Sequence, residues 1–264
     1  MKTVKMMLCA AALAAVGTLA AQEQTLNKAS DWNKSPAIAD GDGVLTVSKA
    51  TLMIGKMFEV DPAKTYTIKC SVQAKDLKGT DKSWVLVGFQ AFDKNNAEIS
   101  CQSVNVIPAA ITEVAADAAK GAKSLIVKDG SKFRKSTSAA IVADAKADFS
   151  DLPNRNIVFR GAIDAITQKD GAWEITLKQP LLKDVKAGTT IREHGMGGYL
   201  YTAGSAQVGS SPVTMSGSIS GVSTKGWNSK VWPVGTVKAR PLILANWSRK
   251  DLVTEFKDIT LTVK

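Results

Sequence analysis

The sequence predicts an all-β protein, and three observations lead to that prediction. Runs such as 65–72 alternate apolar and polar residues, which is the pattern of a strand with one buried face. Turn-forming residues separate successive runs of this kind. Helical periodicity is almost absent, and strands at this spacing with almost no helix indicate a β-sandwich.

The clearest strands lie near the two ends of the chain. Residues 93–96 (DKNN) supply turn chemistry, so the runs on either side of them are predicted to form a hairpin. A Gly/Ser-rich stretch, 195–226, precedes the last two strands, and its glycines permit turns and bulges. The predicted strands of these flanks are 44–47, 65–72, 84–92, 98–104, 240–246 and 253–263.

The middle of the chain has a different residue pattern. The alanine-rich segment 111–119 is followed by Lys120 and Gly121, which predicts a short helix. Several short apolar runs with intervening glycines follow and suggest a compact β insert. The predicted division is a signal peptide at 1–21, the two halves of a sandwich at 22–111 and 199–264, and an inserted small β domain at 112–198.

The N-terminus has the order of a bacterial-type secretory signal. Lys2 and Lys5 precede an apolar run, and small residues up to Ala21 come before a polar segment. The apolar run is shorter than the about 20 residues that span a bilayer, and no second run approaches that length. We therefore expect a secreted or extracytoplasmic protein, in the periplasm or at the cell surface, without a transmembrane segment.

The charge of the chain narrows the classes of binding partner. The chain has 34 Lys and Arg against 24 Asp and Glu, a net charge of +10, and loses two lysines with the signal. The lysines are scattered, which is typical of a solvated surface and not of a nucleic-acid footprint.

Cys70 and Cys101 remain after export, and both a single disulfide and two buried thiols fit their strand-like surroundings.

Four segments of the flanks resemble secreted carbohydrate-binding modules. They are 58–68 (FEVDPAKTYTI), 89–99 (FQAFDKNNAEI), 240–244 (RPLIL) and 256–261 (FKDITL). Together they are similar to the strand entry, the central hairpin and the final strands of the galactose-binding-like jelly-roll β-sandwiches that accompany xylanases and cellulases. The resemblance covers 26–107 and 199–264 and skips the insert.

The resemblance implies a non-catalytic jelly-roll module that binds a polysaccharide or another glycan. Aromatic side chains would stack on sugar rings, and polar side chains would orient the hydroxyls. The resemblance also implies a structural calcium ion near Asp258, although Lys257 stands where an acid is common. The candidate ligand-binding residues are Trp84, Tyr199, Tyr201, Trp227, Trp232, Asn246, Trp247 and Arg249.

Other functions remain as alternatives. A structural or adhesion module of the cell envelope would bind protein partners through an apolar surface patch. A glycoside hydrolase would need two carboxylates at a set separation, and nothing in the sequence marks such a pair. His194, the one histidine, follows Glu193, but neighbours on a strand point to opposite faces, so a structural role is expected for His194.

Overall fold

The structure is a computed structural model that describes residues 21–75, 77, 82–247, 249 and 251–264. The predicted signal peptide lies outside the described residues, apart from Ala21. Strands make up 55% of the structure and helices 3%, which confirms the all-β prediction. Nowhere in the described part of the chain is a helix long and apolar enough to cross a membrane.

Two antiparallel sheets enclose one core between them. Sheet I has the order β16-β6-β18-β3-β2 with β1 added to β18, and sheet II has the order β15-β7-β17-β4 with β5 on β17 and β8 on β7. The strands of sheet I are β1 (Gln22–Thr25), β2 (Ile38–Gly41), β3 (Val44–Ser48), β6 (Tyr66–Lys75), β16 (Val213–Ile219) and β18 (Val253–Val263). Those of sheet II are β4 (Thr51–Ile54), β5 (Phe58–Glu59), β7 (Ser83–Phe92), β8 (Glu98–Ile99), β15 (Leu200–Val208) and β17 (Lys238–Trp247).

The alternation in the sequence explains why these strands form. In β6, Tyr66, Ile68, Cys70 and Val72 are buried in the core shared by the two sheets, while the residues between them face outward. Burial of each such side chain contributes about 1.5–3 kcal/mol. A sandwich built from strands of the two flanks agrees with the prediction, and the jelly-roll strand order stays a prediction.

The middle of the chain forms a third sheet with its own core. Its order is β10-β13-β12-β11-β14-β9. The residues after β9 then pair with β10, because the Ala115 N–H donates to the Ile126 carbonyl at 2.7 Å and the Lys128 N–H donates to the Glu113 carbonyl at 2.9 Å. The sheet therefore closes into a small barrel. Its strands are β9 (Val106–Glu113), β10 (Ser124–Val127), β11 (Ser136–Ala143), β12 (Ile157–Lys169), β13 (Ala172–Leu177) and β14 (Thr190–Gly195).

The predicted helix at 111–119 is wrong. Strand β9 continues to Glu113, with Ile111 opposite Arg192 and Thr112 opposite Ile191. Pairing with β14 overrides the local preference of alanine for helix. The described residues contain two short helices instead, a 3₁₀ turn at Ala29–Asp31 and the four-residue α1 (Cys101–Val104), which joins β8 of the sandwich to β9 of the barrel.

Trp232 belongs to the sandwich core, which corrects its assignment as a ligand-binding residue. Its side chain is fully buried, and its ring centre lies 5.6 Å from that of Tyr66 and 5.4 Å from that of Phe89. These aromatic contacts leave no ring face exposed for a sugar. The sequence places Trp232 in a loop-like context, and only the packing of distant strands buries it.

Asn246 is also buried, and its role is structural. It has a left-handed backbone with φ of 54° at a bulge in β17. Its side-chain Nδ2 donates to the carbonyls of Val47 and Lys49, both at 3.0 Å, and its Oδ1 accepts from the hydroxyls of Ser83 and Thr254. The amide therefore connects sheet I to sheet II and has no free polar atom to offer a ligand.

Cys70 and Cys101 are free thiols. Cys70 is buried in the sandwich core, and Cys101 is buried at the start of α1. Burial raises the pKa of the Cys70 thiol to about 12 and that of Cys101 to about 11. Of the two alternatives left open by the sequence, the structure has the buried thiols.

Replacement of Asn246 by alanine should destabilise the sandwich. The change leaves the buried Val47 carbonyl, the part-buried Lys49 carbonyl and two buried hydroxyls without their partner, and alanine tolerates the positive φ less well than asparagine. We expect the free energy of unfolding to fall by about 2–4 kcal/mol in urea denaturation. The control is Asn228→Ala, which removes one exposed turn contact to the Lys230 N–H. Equal losses in both variants would contradict this role.

Candidate functional site

A cleft lies along β7 at the point where its partner strand changes from β15 to β8. β15 pairs with β7 as far as Leu200, opposite Phe89, and β8 takes over with Ile99 opposite Ala91. Gln90 lies at the gap between these two partner strands. The cleft has a volume of about 210 Å³. Its lining residues are Phe89, Gln90, Ala91, Glu98, Ile99, Ser100, Gln102, Gly197, Gly198, Tyr199, Leu200 and Trp227.

The structure brings two of the predicted aromatic residues into this cleft. Tyr199 and Trp227 both line it and are both half-buried. Tyr201 lies beside them, with its ring centre 6.2 Å from that of Tyr199 and nearly perpendicular to it at 88°. Burial raises the pKa of the Tyr201 hydroxyl, so Tyr201 is neutral at ordinary pH. The arrangement combines aromatic surface with polar tips, as sugar recognition requires.

Glycine backbone forms one wall of the cleft. A Cβ atom on Gly197 would lie 2.8 Å from the Cys101 Sγ, and one on Gly198 would lie 2.8 Å from the ring of Tyr201. Both distances are shorter than a real Cβ contact. The two glycines are therefore required because the chain runs too close to its neighbours to carry side chains.

The polar lining contains one acceptor without a donor. Gln90 is 6% exposed, and its Oε1 accepts from Nε of Arg240 at 2.7 Å. The Oε1 atom of Gln102 is buried, and no hydrogen-bond donor for it exists among the residues that the structure describes. An unsatisfied buried acceptor costs about 1–3 kcal/mol, so a ligand that donates a hydrogen bond there would recover that energy.

Gln102 lies in helix α1, and hydrogen bonds to the backbone carbonyls of this helix fix its position. The His194 Nδ1–H donates to the carbonyl of Gln102 at 2.8 Å. The N–H groups of Asn154 and Gly226 donate to the next two carbonyls of the helix, both at 2.9 Å. The last carbonyls of a helix lack partners inside the helix, and here the barrel and a sandwich loop supply those partners.

His194 is a structural residue, as its sequence context suggested. It is fully buried, and its Nε2 accepts from Nε of Arg192 at 2.9 Å while its Nδ1 bonds the helix. Burial lowers the pKa of His194 to about 4, so the ring is neutral. Arg192 in turn bonds Asp151 at 2.7 Å. Burial alone would raise the pKa of Asp151, but hydrogen bonds from Arg192 and Asn154 hold it below its ordinary value.

Glu193, the neighbour of His194, points to the other side of β14. It is 1% exposed, and its carboxylate accepts from the backbone N–H and the guanidinium of Arg134. Burial raises the pKa of Glu193. Glu193 and His194 therefore do not contact each other as a catalytic pair would.

Trp84 and Trp247 form a second aromatic group, outside the cleft. They lie opposite each other on β7 and β17, and they are 41% and 53% exposed. Arg249 follows Trp247, and its guanidinium bonds Asp251 at 3.0 Å. The predicted ligand-binding residues are thus divided between the cleft, this pair and the core.

Asp258 lies at a bulge in β18 with φ of 50° and is exposed. It borders a shallow polar hollow with Glu23, Asn27 and Lys69. The Asn27 Oδ1 already accepts from the Ile259 N–H at 2.8 Å. No group of three or more His, Cys, Asp or Glu suited to a metal ion occurs within the described residues. The calcium ion stays a prediction.

The sequence did not identify the polar side of the cleft. Gln90, Glu98, Ser100 and Gln102 line it but were not candidates. The glycines at 195, 197 and 198 were the available signal, because glycines just before two tyrosines mark a place where backbone passes close to other atoms.

Comparisons with known proteins add no family to these observations. No family model matches the chain, and neither the curated proteins nor the solved structures contain a match. The resemblance to carbohydrate-binding modules therefore stays a prediction based on the four quoted segments.

Alanine at Gly197 should destabilise the wall of the cleft. The added methyl group would press on Cys101 Sγ, and overpacking of this kind costs about 1–3 kcal/mol. Thermal or urea unfolding would measure the loss. Gly209→Ala is the matched control, because nothing lies within 4 Å of a Cβ atom at that position. A neutral Gly197→Ala variant would show that the wall is not tightly packed.

The buried His194 should make stability depend on pH. The folded chain binds this proton only near pH 4, whereas the unfolded chain binds it near pH 6.5. As the pH falls from 6.5 towards 4, the free energy of unfolding should fall by up to about 1.4 kcal/mol per unit. Below the folded pKa, this dependence levels off.

Urea denaturation at about pH 7 and about pH 5 should give a loss of about 2 kcal/mol that His194→Gln removes. Glu193 changes the free energy of unfolding in the opposite direction: its folded pKa is raised, so its contribution increases as the pH falls. Asp151 changes the pH dependence of stability only below its ordinary pKa, because its folded pKa is lowered. The difference in pH dependence between the original protein and His194→Gln therefore measures the contribution of His194. An unchanged slope in His194→Gln would contradict the assignment.

Proposed function

We propose that this chain is an exported, non-catalytic module that binds carbohydrate through the cleft beside β7. One observation carries the proposal. Tyr199 and Trp227 line the same cleft as Gln102, which is distant from both in sequence and whose side-chain Oε1 is buried and unpartnered. Aromatic faces suit the C–H surfaces of a sugar ring, and a sugar hydroxyl is a suitable donor for the amide oxygen.

The size of the cleft favours a small ligand unit. Its volume of about 210 Å³ is below the about 300–1,000 Å³ of pockets that hold drug-sized molecules. One sugar ring is the unit that suits this volume. Gln90, held by Arg240, and the exposed Glu98 add polar groups at the rim that would orient such a ring.

Export supports a glycan outside the cytoplasm as the target. The order of basic, apolar and small residues at the N-terminus favours secretion, and polysaccharides of the cell surface or the surroundings are then accessible. The calcium ion proposed near Asp258 would have a structural role in the sandwich and would not contact the sugar.

A structural or adhesion module of the envelope is the second candidate function. The observation that favours it is the exposure of two large aromatic side chains, Trp84 and Trp247, on neighbouring strands. Exposed apolar groups that lie together are typical of surfaces that bind other proteins. A protein partner would be recognised by that surface and would not need the cleft.

Glycan-array binding of the mature chain, followed by calorimetry, tests the proposal. We expect specific binding, and we expect Trp227→Ala or Tyr199→Ala to weaken it by about 10-fold or more, equivalent to about 1.4 kcal/mol. Tyr199→Phe retains the ring and should lose less, while Val222→Ala, an exposed position that does not line the cleft, should lose nothing.

Circular dichroism must confirm that each variant keeps its fold. A blank array with folded protein would reject carbohydrate binding and favour the adhesion module. Repeating the array with EDTA tests the calcium proposal, because loss of binding would indicate a required ion.

A further inference from the structure

Two exposed tryptophans lie side by side at one end of sheet II. Trp84 is the second residue of β7, and it lies opposite Trp247, the last residue of β17. Residues directly opposite each other in an antiparallel pair project from the same face, with Cβ atoms about 4.5–5.5 Å apart. That face is the outward one, because Ser83 and Val85, on either side of Trp84, are fully buried. The two indoles therefore form one exposed aromatic surface.

Buried hydrogen bonds beneath the two indoles fix their positions. The hydroxyl of Ser83, next to Trp84, donates to Oδ1 of Asn246, next to Trp247, at 3.2 Å. The Asn246 side chain also donates to a carbonyl of sheet I. The indole N–H groups of the two tryptophans, by contrast, have no hydrogen-bond acceptor among the residues that the structure describes. The aromatic surface is therefore held in place and offers two unused donors.

Unpaired positive charge lies beside this aromatic surface. Lys82 comes two residues before Trp84 in the chain. Lys49 lies in the turn between β3 and β4, where its carbonyl accepts from the Asn246 side chain at 3.0 Å. Both lysines are exposed, and neither ammonium group has a hydrogen-bond or ion-pair partner within the described part of the chain. The two lysines therefore add uncompensated positive charge next to the tryptophans.

The neighbouring charges do not cancel this excess. Lys75 and Arg249 each form a salt bridge with an acid, so these pairs add no net charge. The residues of 76–81 and 248–250 that lie outside the described part contain two aspartates and two lysines in the sequence. The unpaired lysines therefore leave this end of the sandwich positive.

This combination matches a membrane surface better than a protein partner. An indole has an apolar body and a polar N–H, and tryptophan is enriched at the boundary between lipid headgroups and acyl chains. Lysine is attracted to anionic headgroups, and its long side chain can keep the ammonium group in the headgroup layer. Interfaces between proteins are enriched in tryptophan but depleted of lysine. Charge complementarity therefore favours an anionic lipid surface as the occupant.

We infer that Trp84, Trp247, Lys49 and Lys82 form a docking surface for a lipid bilayer with anionic headgroups. The indoles enter the headgroup layer, their N–H groups donate to phosphate or ester oxygens, and the lysines contact phosphates. Both contributions are needed, because a single weak anchor gives only marginal, reversible binding. The inference goes beyond the proposed glycan binding and does not depend on it, since none of the four residues lines the cleft.

Co-sedimentation of the mature full chain with lipid vesicles tests this inference. The vesicles consist of phosphatidylcholine alone, or of phosphatidylcholine with about 30% phosphatidylglycerol, which has a negative headgroup. We expect at least about 10-fold tighter binding to the anionic vesicles, and we expect this affinity to fall as added salt screens the lysines. Tryptophan fluorescence should shift to shorter wavelength as the indoles leave water.

Two double variants separate the apolar and the electrostatic contributions. Trp84→Ala with Trp247→Ala should weaken binding to anionic vesicles by at least about 10-fold and should abolish the fluorescence shift. Lys49→Gln with Lys82→Gln should weaken binding to anionic vesicles by about 10-fold or more and should leave the fluorescence of the free protein unchanged. Circular dichroism confirms that each variant keeps its fold.

The barrel supplies a matched control for each double variant. Lys123→Gln with Lys178→Gln removes the same charge from two exposed lysines of the barrel. Leu182→Ala removes an apolar side chain of the barrel that is similarly exposed, 45% accessible. Both controls should bind anionic vesicles as the original protein does.

Four results would overturn the inference. They are absence of binding to anionic vesicles, normal binding by the tryptophan double variant, normal binding by the Lys49→Gln, Lys82→Gln variant, and equal losses in the two lysine double variants. Equal losses would assign the binding to the net charge of the whole chain. Loss of self-association in the tryptophan double variant, with vesicle binding unchanged, would assign the surface to a second copy of the chain. Glycan binding is measured separately, so each of these results leaves the proposed function intact.

Discussion

The arrangement of the candidate site depends on the hydrogen bonds to the carbonyls of helix α1. The helix has only four residues, so it has no stability of its own. His194, Asn154 and Gly226 donate to its carbonyls from the barrel and from a loop of the sandwich. The same contacts hold the two parts of the chain together and place Gln102 in the cleft. Without them, the polar side of the cleft would have no fixed position.

The hydrogen bonds from His194 and Asn154 depend on a buried charge network behind them. His194 is held by Arg192, and Arg192 is held by Asp151, with exposed fractions of 0% and 6% for the side chains of that ion pair. A buried ion pair adds little net stability unless its remaining donors are satisfied. Here Nε of Arg192 bonds His194 and another nitrogen bonds the Lys146 carbonyl at 2.8 Å. The network therefore fixes geometry more than it adds stability, and burial keeps His194 neutral by lowering its pKa.

The sequence predicted strands where burial on one face leaves an alternating pattern, as in β3 and β6. It failed where pairing between distant segments decides the outcome. Ile111 is in a strand because β14 lies beside it, and Trp232 is in the core because Tyr66 and Phe89 surround it. For the same reason, Tyr199 and Trp227 could be named from sequence, but the cleft that joins them to Gln102 could not.

The separation of charge from aromatic surface has a physical consequence for recognition. The scattered lysines give the chain a net charge of +10, and this field acts on any anionic surface nearby but is screened within about 8–10 Å. The cleft instead presents mainly aromatic rings, amides and aliphatic side chains, with Glu98 as its one charged lining residue. Contacts of that kind act at short range and depend little on salt. Attraction to an anionic surface and selection of the proposed ligand would therefore depend on different parts of the same protein.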